Sequence, residues 1–435
     1  MLNAAGLEAA RKFAAALERT QNYSPERMQA YQRNLLEPLL RHARAEVPFY
    51  EKRLDPLFGP DDEIRWEAWA EIPTVTREDA QIAGEDMFAR KLPDNVGVVE
   101  SGQTSGSTGR PLKFRTNSLM RLVGTALGER IFSWHGVDRT QTAAFIVDNS
   151  DEHPFPEGST GTNWNLAHPE AMGLNLTMGA TIAEQVDWLS RKKPSVLFTY
   201  PSNASAVLTY FLEDNSQAPF ETVICHGEVL TKEVRQFFSD NGIKIIDRFG
   251  ASELGPISAE CPQCNGPHHQ FSEAVLVECL SNESNKQIRT GNGRLIVTPF
   301  YNYAMPLIRY ENYDHITITE DACSCGRTLP IVESIQGRSR NLFKFPDGKL
   351  RWPNLHFTEF VKLLPAKQVQ LVQRTMHEID ILYVHDGSSR QPNEDEIRDY
   401  ICKKFDERIE TQLIEKIEIS KLPSGKFEDC ISLVA

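Results

Sequence analysis

A run of glycines and hydroxyl-bearing residues after Thr104 is the first candidate for chemistry. Its members are Ser105, Gly106, Ser107, Thr108, Gly109 and Arg110. Glycines let backbone N–H groups approach a polyanion closely, hydroxyls add donors, and the guanidinium adds charge-assisted hydrogen bonds. The residue order of a Walker A loop is absent. The run predicts a loop that binds phosphates, and a flexible Gly/Ser turn is the alternative.

A second candidate follows the apolar run at residues 243–246, which predicts a buried strand. The next residues, DRFGASE at 247–253, supply an aromatic ring, a glycine, a hydroxyl and a carboxylate. In open α/β sheets, ligands bind beyond the carboxyl ends of the strands. Phe249 would stack on a nucleobase, and Glu253 would hold Mg²⁺ through oxygen. The alternative is a turn that contains a core phenylalanine and a solvated glutamate.

Two cysteine pairs and the histidines between them offer five or six candidate ligands for a metal ion. Cys261 and Cys264 form a C-x-x-C pair, His268 and His269 follow, and Cys323 and Cys325 come later in the chain. Thiolates and imidazole favour tetrahedral Zn²⁺, and four protein ligands leave no position for water, so such a zinc would be structural. Reduced thiols without a ligand are the alternative.

Three shorter motifs are weak when each is taken alone. Asp314 ends the run MPLIRYENYD, where its carboxylate would accept hydrogen bonds from ribose hydroxyls. Arg338 follows Gly337 ahead of a polar stretch, and Lys426 ends LPSGK, which predicts a lysine on a tight turn. A lysine after a glycine is usually a solvated turn residue, so these motifs gain meaning only from their order.

The order and spacing of the motifs resemble the adenylate-forming superfamily of acyl-CoA synthetases, peptide-synthetase adenylation domains and firefly luciferase. The resemblance is closest to the phenylacetate-CoA ligase-like branch and covers nearly the whole chain. It implies an enzyme that activates a carboxylic acid with ATP and Mg²⁺ and releases pyrophosphate. It also implies an α/β fold: a large N-terminal domain with mixed, largely parallel sheets and flanking helices, and a small mobile α+β C-terminal domain.

The resemblance assigns roles to the residues that match the nucleotide-binding motifs. Residues 105–110 hold the β- and γ-phosphates of ATP. Phe249 stacks on adenine with Gly250 beside it, Asp314 binds ribose, and Arg338 contacts ribose or phosphate.

The same resemblance implies three catalytic residues. Ser252 touches the α-phosphate, Glu253 binds Mg²⁺, and Lys426 bridges the substrate carboxylate and the α-phosphate. Attack by a carboxylate builds negative charge on the phosphoryl oxygens, which a cation, a lysine and a hydroxyl stabilise. The carboxylate is already ionised near neutral pH, so we expect no general base and no catalytic histidine.

For the metal site, the resemblance points to Cys261, His268, Cys323 and Cys325 as zinc ligands. Cys264 is the alternative to His268, in a site of four cysteines.

The pocket for the acid is expected at the ends of two predicted strands, on the side that carries FGASE. Relatives bind aryl, arylacetyl or amino acids there. The candidate lining residues are Tyr200, Ser202, Asn203, His226, Gly227 and Phe249.

The acyl acceptor has two alternatives. Coenzyme A is the acceptor in typical relatives, whereas other adenylating ligases pass the acyl group directly to an amine or a hydroxyl. Residues 341–354 lack the glycine-rich segment that helps to form the pantetheine tunnel, and Arg340 stands where relatives commonly carry Asp or Lys. A non-catalytic binding protein on the same fold is a third hypothesis, which Glu253, Asp314 and Lys426 argue against.

These motifs need elements that bring them together. Apolar residues recur at helical spacing through residues 1–60, and short β-branched runs alternate with helical segments from about residue 95 to 330, which favours a largely parallel α/β sheet. We predict an N-terminal ATP- and acyl-binding domain at 1–336, with zinc loops at 261–269 and 323–325. A hinge at 337–341 and a C-terminal lid at 342–435 complete the chain.

Composition narrows the class of protein. The chain has 435 residues, 40 % of them hydrophobic and 25 % charged, and its formal net charge is −13. An acidic chain is a poor candidate for binding nucleic acid or an anionic membrane surface. No apolar run is long enough to span a membrane, and the cysteine usage suits a reducing compartment. We therefore expect a cytoplasmic protein, for which a homodimer is one candidate assembly.

Overall fold

The computed structural model describes residues 4–104, 112–147, 152–162, 164–338, 343–346, 350–351, 363–405, 408–420, 427–428 and 430–434. The α-helices in these ranges are α1 (Ala4–Thr20), α2 (Pro25–Glu46), α3 (Arg77–Ala83), α4 (Ser118–His135), α5 (Ile182–Lys192), α6 (Pro201–Glu213), α7 (Lys232–Asp240) and α8 (Glu394–Phe405). Short 3-10 helices lie at Pro48–Tyr50, Asp55–Leu57, Trp66–Glu71 and Gly84–Met87.

The strands, in chain order, are β1 (Val75–Thr76), β2 (Val99–Gln103), β3 (Lys113–Asn117), β4 (Ala143–Phe145), β5 (Ser159–Gly161), β6 (Gly173–Asn175), β7 (Val196–Thr199), β8 (Thr222–Cys225), β9 (Lys244–Ala251), β10 (Gly255–Glu260), β11 (His268–Gln270), β12 (Val275–Leu280), β13 (Gln287–Ile288), β14 (Gly291–Pro299), β15 (Tyr310–Thr319), β16 (Ile331–Arg338), β17 (Phe343–Lys344), β18 (Leu350–Arg351), β19 (Ala366–Thr375), β20 (Glu378–His385), β21 (Glu410–Glu415) and β22 (Cys430–Ser432).

Fourteen of these strands form one sheet with two differently built halves. In one half, β6, β4, β7, β8 and β9 lie side by side and parallel. Helices α5, α6 and α7 connect the later strands of this half, as crossover connections between parallel strands require. In the other half, β10, β11, β16, β15, β14 and β12 pair antiparallel.

The predicted α/β class is therefore confirmed, but the balance of the sheet differs from the expectation. Parallel pairing dominates only the half formed by residues 143–251. After β9 the chain turns directly into β10 through a short turn, and such a turn can join only antiparallel strands.

The last part of the chain forms a four-stranded sheet in the order β21-β20-β19-β22, against which α8 packs. From the sequence alone, the charged segment EDEIRDYICKKFDERIETQLIEK at 394–416 favours one helix followed by a strand. The structure instead ends α8 at Phe405 and forms β21 at Glu410–Glu415, earlier than expected. The backbone of β21 pairs in parallel with β20, and this pairing outweighs the helical charge pattern.

Three clusters of buried apolar side chains hold these elements together. Two of them take their buried members from residues 17–332. The third takes its buried members from residues 343–430, with Phe343, Phe345 and Phe405 at its centre. Among the described residues, no helix is long and apolar enough to cross a membrane.

Candidate functional site

The carboxyl ends of β7, β8 and β9 lie at one edge of the parallel half-sheet. Thr199 is level with Cys225, and Cys225 is level with Asp247. The residues that follow these strands therefore leave the sheet at the same edge. The rings of Tyr200 and His226 lie 5.2 Å apart between centroids, so the structure brings together two of the side chains predicted to line the pocket.

Tyr200 and Gly227, two of the residues predicted for the acid pocket, have defined conformations. The hydroxyl of Tyr200 donates to the carbonyl of Val147 at 2.7 Å, which fixes the orientation of its ring. Gly227 is exposed with a φ of 80°, a conformation that glycine adopts without strain.

Asn203 corrects the prediction. Its side chain is fully buried, and its amide donates to Gln185 at 2.8 Å and to Thr199 at 3.1 Å. Helix α6 turns this side chain toward α5 and β7, so in the structure its amide serves helix packing.

Glu228, directly after Gly227, occupies a position at the start of α6. One of its carboxylate oxygens accepts from the backbone N–H of Ser202 at 3.0 Å, and the other accepts from the Ser202 hydroxyl at 3.0 Å. Backbone N–H groups in the first turn of a helix have no partner within the helix, and a carboxylate there is favourable. Ser202 is therefore held by Glu228 at the edge of the predicted pocket.

The FGASE motif lies where β9 turns into β10. Gly250 pairs with Pro256, and a Cβ atom built on Gly250 would lie 2.5 Å from the carbonyl oxygen of Gly255. Only glycine allows these backbones to approach so closely. Phe249 is half-buried on β9, and Ser252 is exposed in the turn, so the ring and the hydroxyl are presented at the rim of the site.

Glu253, in the same turn, has a buried carboxylate with few hydrogen-bond partners among the described residues. It is 6 % exposed, and the hydrogen bond that reaches it from the described residues is a long one, 3.5 Å from the Tyr310 hydroxyl. Burial, together with Glu253, raises the pKa of Tyr310 well above its usual value, so the phenol stays protonated and donates. No ion pair reaches Glu253 from the described residues. A buried charge of this kind needs a partner, and a divalent cation fits the donor.

The predicted phosphate loop joins β2 to β3. Residues 105–110 lie outside the described residues, but both ends of the loop are defined. The N–H of Thr104 donates to the carbonyl of Leu112 at 2.9 Å, and the N–H of Leu112 donates to the Thr104 hydroxyl at 3.0 Å. The buried guanidinium of Arg77 also donates to this hydroxyl. The loop is thus closed at its base by a hairpin pair and a buried cation.

Asp314 and Arg338 are brought opposite each other, although 23 residues separate them in the chain. They are register partners on the antiparallel strands β15 and β16. The Asn312 amide donates to the Asp314 carboxylate at 2.6 Å, which fixes its direction. Strand β15 begins at Tyr310, the residue that contacts Glu253, so it connects the predicted cation ligand with the predicted ribose ligand. Lys426, the predicted catalytic lysine, lies outside the described residues.

The cysteines predicted to bind zinc do come together. Ligand atoms of Cys261, His269, Cys323 and Cys325 all lie within 4.8 Å of one another. The Sγ of Cys323 is 3.6 Å from that of Cys261 and 3.5 Å from that of Cys264. Tetrahedral zinc with Zn–S bonds of about 2.3 Å separates its sulfur atoms by about 3.8 Å. The donor set and its spacing fit a zinc ion.

The histidine in this cluster is His269, not the predicted His268. Neighbouring residues of a strand point to opposite faces, and on β11 it is His269 that faces the cysteines, with Nε2 3.2 Å from the Sγ of Cys325. Its Nδ1 faces the carbonyl of Leu329 at 3.2 Å, and burial lowers the pKa of His269 to about 4. A neutral ring that donates from Nδ1 leaves the Nε2 lone pair toward the cysteines, as a metal ligand requires.

His268 has a different environment on the opposite face of β11. Its Nε2 lies 3.3 Å from the Asp247 carboxylate and its Nδ1 lies 3.2 Å from the Ser258 hydroxyl. All three residues are buried, and they connect β11 to β10 and to the middle of β9.

The site residues predicted from the sequence did not include Arg77, Glu228 and Tyr310. Glu228 had a local signal, because it follows His226 and Gly227 in the same loop, and Tyr310 lies within the run MPLIRYENYD that ends at Asp314. Arg77 lies in a segment without any motif, and only its contact with Thr104 reveals it.

Comparison with known proteins tests the resemblance to phenylacetate-CoA ligases. No family model matches the chain. The phenylacetate-coenzyme A ligase of Thermus thermophilus is 25 % identical over 332 residues, which cover 73 % of this chain and 72 % of that one. The enzyme of the same name from Aromatoleum evansii is 25 % identical over 377 residues, covering 84 % and 81 %. The predicted resemblance to phenylacetate-CoA ligases is confirmed.

Solved structures confirm the fold. The crystal structure of 2-hydroxyisobutyryl-CoA ligase in the postadenylation state, in complex with 2-HIB-AMP, has a TM-score of 0.75 at 18 % identity, covering 95 % of this chain and 91 % of that one. The same enzyme with 2-HIB-AMP and CoA in the thioesterification state has a TM-score of 0.61 at 19 % identity, over 95 % and 91 % of the two chains. The chain therefore has the fold of an adenylate-forming ligase along nearly its whole length.

Proposed function

We propose that this protein is an ATP-dependent ligase that converts a carboxylic acid into an acyl-adenylate and transfers the acyl group to coenzyme A. The phenylacetate-CoA ligases, which it resembles over about three quarters of its length, carry that activity in their name. The observation that supports the proposal best is the buried carboxylate of Glu253, held beside the strand that carries Asp314. A buried carboxylate is unfavourable in an apolar core, whereas in a site for MgATP it can bind the cation.

In the first step, a carboxylate oxygen of the acid attacks the α-phosphorus of ATP. The new acyl–phosphate bond forms as the bond to the β-phosphate oxygen breaks, and pyrophosphate leaves. Phe249 stacks on adenine, while Asp314 and Arg338 hold the ribose. Lys426 and the hydroxyl of Ser252 stabilise the charge that develops on the α-phosphoryl oxygens. Stabilisation of this kind, with accurate positioning, accounts for most catalysis in phosphoryl transfer.

Two metal ions belong to the proposal in different roles. Glu253 would hold Mg²⁺, which supplies charge neutralisation for the phosphates when it is bound. The cluster of Cys261, His269, Cys323 and Cys325 would hold a structural Zn²⁺, since four protein ligands leave no position for a substrate.

In the second step, the acceptor attacks the acyl carbon and AMP leaves. We propose that residues 342–435 form a lid that closes for the first step and turns about a hinge at 337–341 to admit the acceptor. Coenzyme A is the proposed acceptor, and a direct transfer to an amine or a hydroxyl is the alternative. The protein would act in the cytoplasm, and a homodimer is one candidate assembly.

The test is carboxylate-dependent exchange of labelled pyrophosphate into ATP, with a panel of aryl, arylacetyl, fatty and amino acids. Each productive acid is then incubated with ATP and either CoA or amines, and the product is identified by mass. Exchange that requires one class of acid, followed by a CoA thioester, would support the proposal. An amide product would show that the acceptor is an amine and not CoA. MgATP binding without exchange for any acid would contradict the enzyme and favour a binding protein.

A further inference from the structure

The carboxylate of Glu228 has a third hydrogen-bond donor from a distant part of the chain. Besides the N–H and hydroxyl of Ser202, its Oε1 accepts from the backbone N–H of Phe427 at 2.7 Å. Glu228 thus joins the first turn of α6, at the rim of the predicted acid pocket, to the segment that directly follows LPSGK.

The segment on the other side of this bond is fixed to the C-terminal sheet. The side-chain amide of Gln370, on β19, donates to the carbonyl of Glu428 at 2.7 Å. Two residues further on, β22 pairs with β19 in parallel, with Cys430 level with Leu371. Glu428 and Cys430–Ser432 are therefore anchored to β19, and a displacement of that sheet relative to α6 breaks the bond to Glu228.

We propose that Glu228 is a positioning residue for the adenylation step. Its carboxylate holds the C-terminal sheet against the start of α6 in the state in which LPSGK serves the nucleotide site. This inference rests on the proposed function. The N–H that Glu228 accepts belongs to the peptide bond that joins Phe427 to Lys426, so the contact fixes the chain one bond away from the predicted catalytic lysine.

The chemistry of the contact suits an attachment that is made and released. A carboxylate can accept several hydrogen bonds, so Glu228 keeps its bonds to Ser202 when Phe427 withdraws. The first turn of α6 also favours the negative charge in both states. Release of this contact costs one charge-assisted hydrogen bond. The higher similarity of the whole chain to the postadenylation structure than to the thioesterification structure agrees with this assignment.

The first experiment separates the two half-reactions in the full-length protein. We expect Glu228→Ala to lower kcat for pyrophosphate exchange roughly 10- to 100-fold, the worth of a hydrogen bond to a charged group. The KM values for ATP and acid should change little. Transfer from a supplied acyl-adenylate to CoA should keep its rate, because that step does not use the contact. Glu228→Gln, which keeps one acceptor oxygen, should retain more exchange activity than Glu228→Ala.

The matched control is Glu221→Ala, which removes an exposed carboxylate just before β8, at the opposite end of that strand. It should leave both half-reactions unchanged. If Glu228→Ala slows both half-reactions equally, the residue merely stabilises α6 and the proposal is wrong.

The second experiment does not depend on the activity. Hydrogen exchange of the Phe427 amide should be slow in the wild-type protein and in Glu221→Ala, and fast in Glu228→Ala. Equal protection in all three proteins would overturn the proposal. A protein that shows this pattern of protection but exchanges no pyrophosphate would keep the contact and refute the proposed function.

Discussion

At the scale of single residues, the buried carboxylate of Glu253 leads to the first prediction. Glu253→Gln keeps the shape of the side chain and its hydrogen bond to Tyr310 but removes the charge. We expect pyrophosphate exchange to fall roughly 10²–10³-fold, the effect of losing one well-placed electrostatic partner. The Mg²⁺ concentration for half-maximal exchange should rise.

A Mg²⁺ titration of the exchange rate measures this effect. Glu283→Gln, an exposed change on the β12–β13 loop, is the control. An unchanged Mg²⁺ dependence in Glu253→Gln would show that Glu253 does not bind the cation.

The second prediction concerns Lys426. Lys426→Ala should reduce adenylation by roughly 10²–10³-fold, because a single donor to the developing charge carries that much of the rate. Binding of ATP should weaken much less, since the phosphate contacts predicted for residues 105–110 do not involve Lys426. Pyrophosphate exchange and equilibrium ATP binding measure the two effects. Lys416→Ala, at an exposed position after β21, is the control, and normal adenylation in Lys426→Ala would exclude the LPSGK assignment.

At the scale of elements, the cysteine cluster joins three segments: the end of β10, strand β11 and the segment before β16. We expect the purified protein to contain one zinc per chain. His269→Ala should lower this content, whereas His268→Ala should keep it, because only His269 faces the cysteines. Native mass spectrometry measures the stoichiometry. Equal zinc content in the two variants would show that the ligands are the four cysteines, with Cys264 in place of a histidine.

Chelation tests the structural role of the same metal. Removal of zinc should lower Tm before it changes kcat, because a structural metal contributes its binding free energy to folding. Scanning calorimetry measures Tm and the pyrophosphate exchange assay measures kcat, each over the same series of chelator concentrations. Loss of activity at an unchanged Tm would mean that the metal takes part in the chemistry.

The two histidines also show where prediction from sequence reaches its limit. The β-branched runs at 194–200, 222–227 and 243–250 predicted the parallel strands and the edge at which the site lies, because short runs of this composition are typical of buried strands. The direction of a side chain depends on the register, and a shift of one residue exchanges the two faces. In a three-residue strand such as β11, the sequence HHQ offers no apolar alternation that would set this register.

Contacts between distant segments could not be predicted from the sequence, for a different reason. Glu228 and Phe427 are 199 residues apart, and Arg77 reaches Thr104 across 27 residues. No local pattern encodes a partner that approaches through the fold. The motifs thus gave the chemistry of the site, and the packing of β15, α3 and the C-terminal sheet determined which side chains support it.

At the scale of the whole molecule, buried histidines predict sensitivity to acid. Burial lowers the pKa of His135 and of His315 to about 4 each, against about 6.5 in an unfolded chain. Between these values the unfolded state binds more protons, so the free energy of unfolding falls as pH falls from 6.5 to 4 and is unaffected by these groups above 6.5. At pH 5.5 each should cost about 1.4 kcal/mol, the equivalent of one pH unit.

Denaturant unfolding across this pH range measures the effect. His315→Gln should flatten the dependence, and His377→Gln, at an exposed position, should leave it as in the wild-type protein. A free energy of unfolding that stays constant from pH 6.5 to 4.5 would refute this account.

The order of strands in the large sheet also has a consequence for synthesis on the ribosome. Residues 143–251 supply the parallel strands as one nearly continuous stretch, so this half can form while the chain is still being made. Strand β11 pairs with β16, which comes about 60 residues later, and Gln21, just after α1, contacts Arg327 and Thr328. Non-local pairings of this kind form slowly and leave edges open meanwhile. The nascent protein must therefore leave the edge of β11 unpaired until β16 has emerged, and an unpaired strand edge is a site for aggregation during this interval.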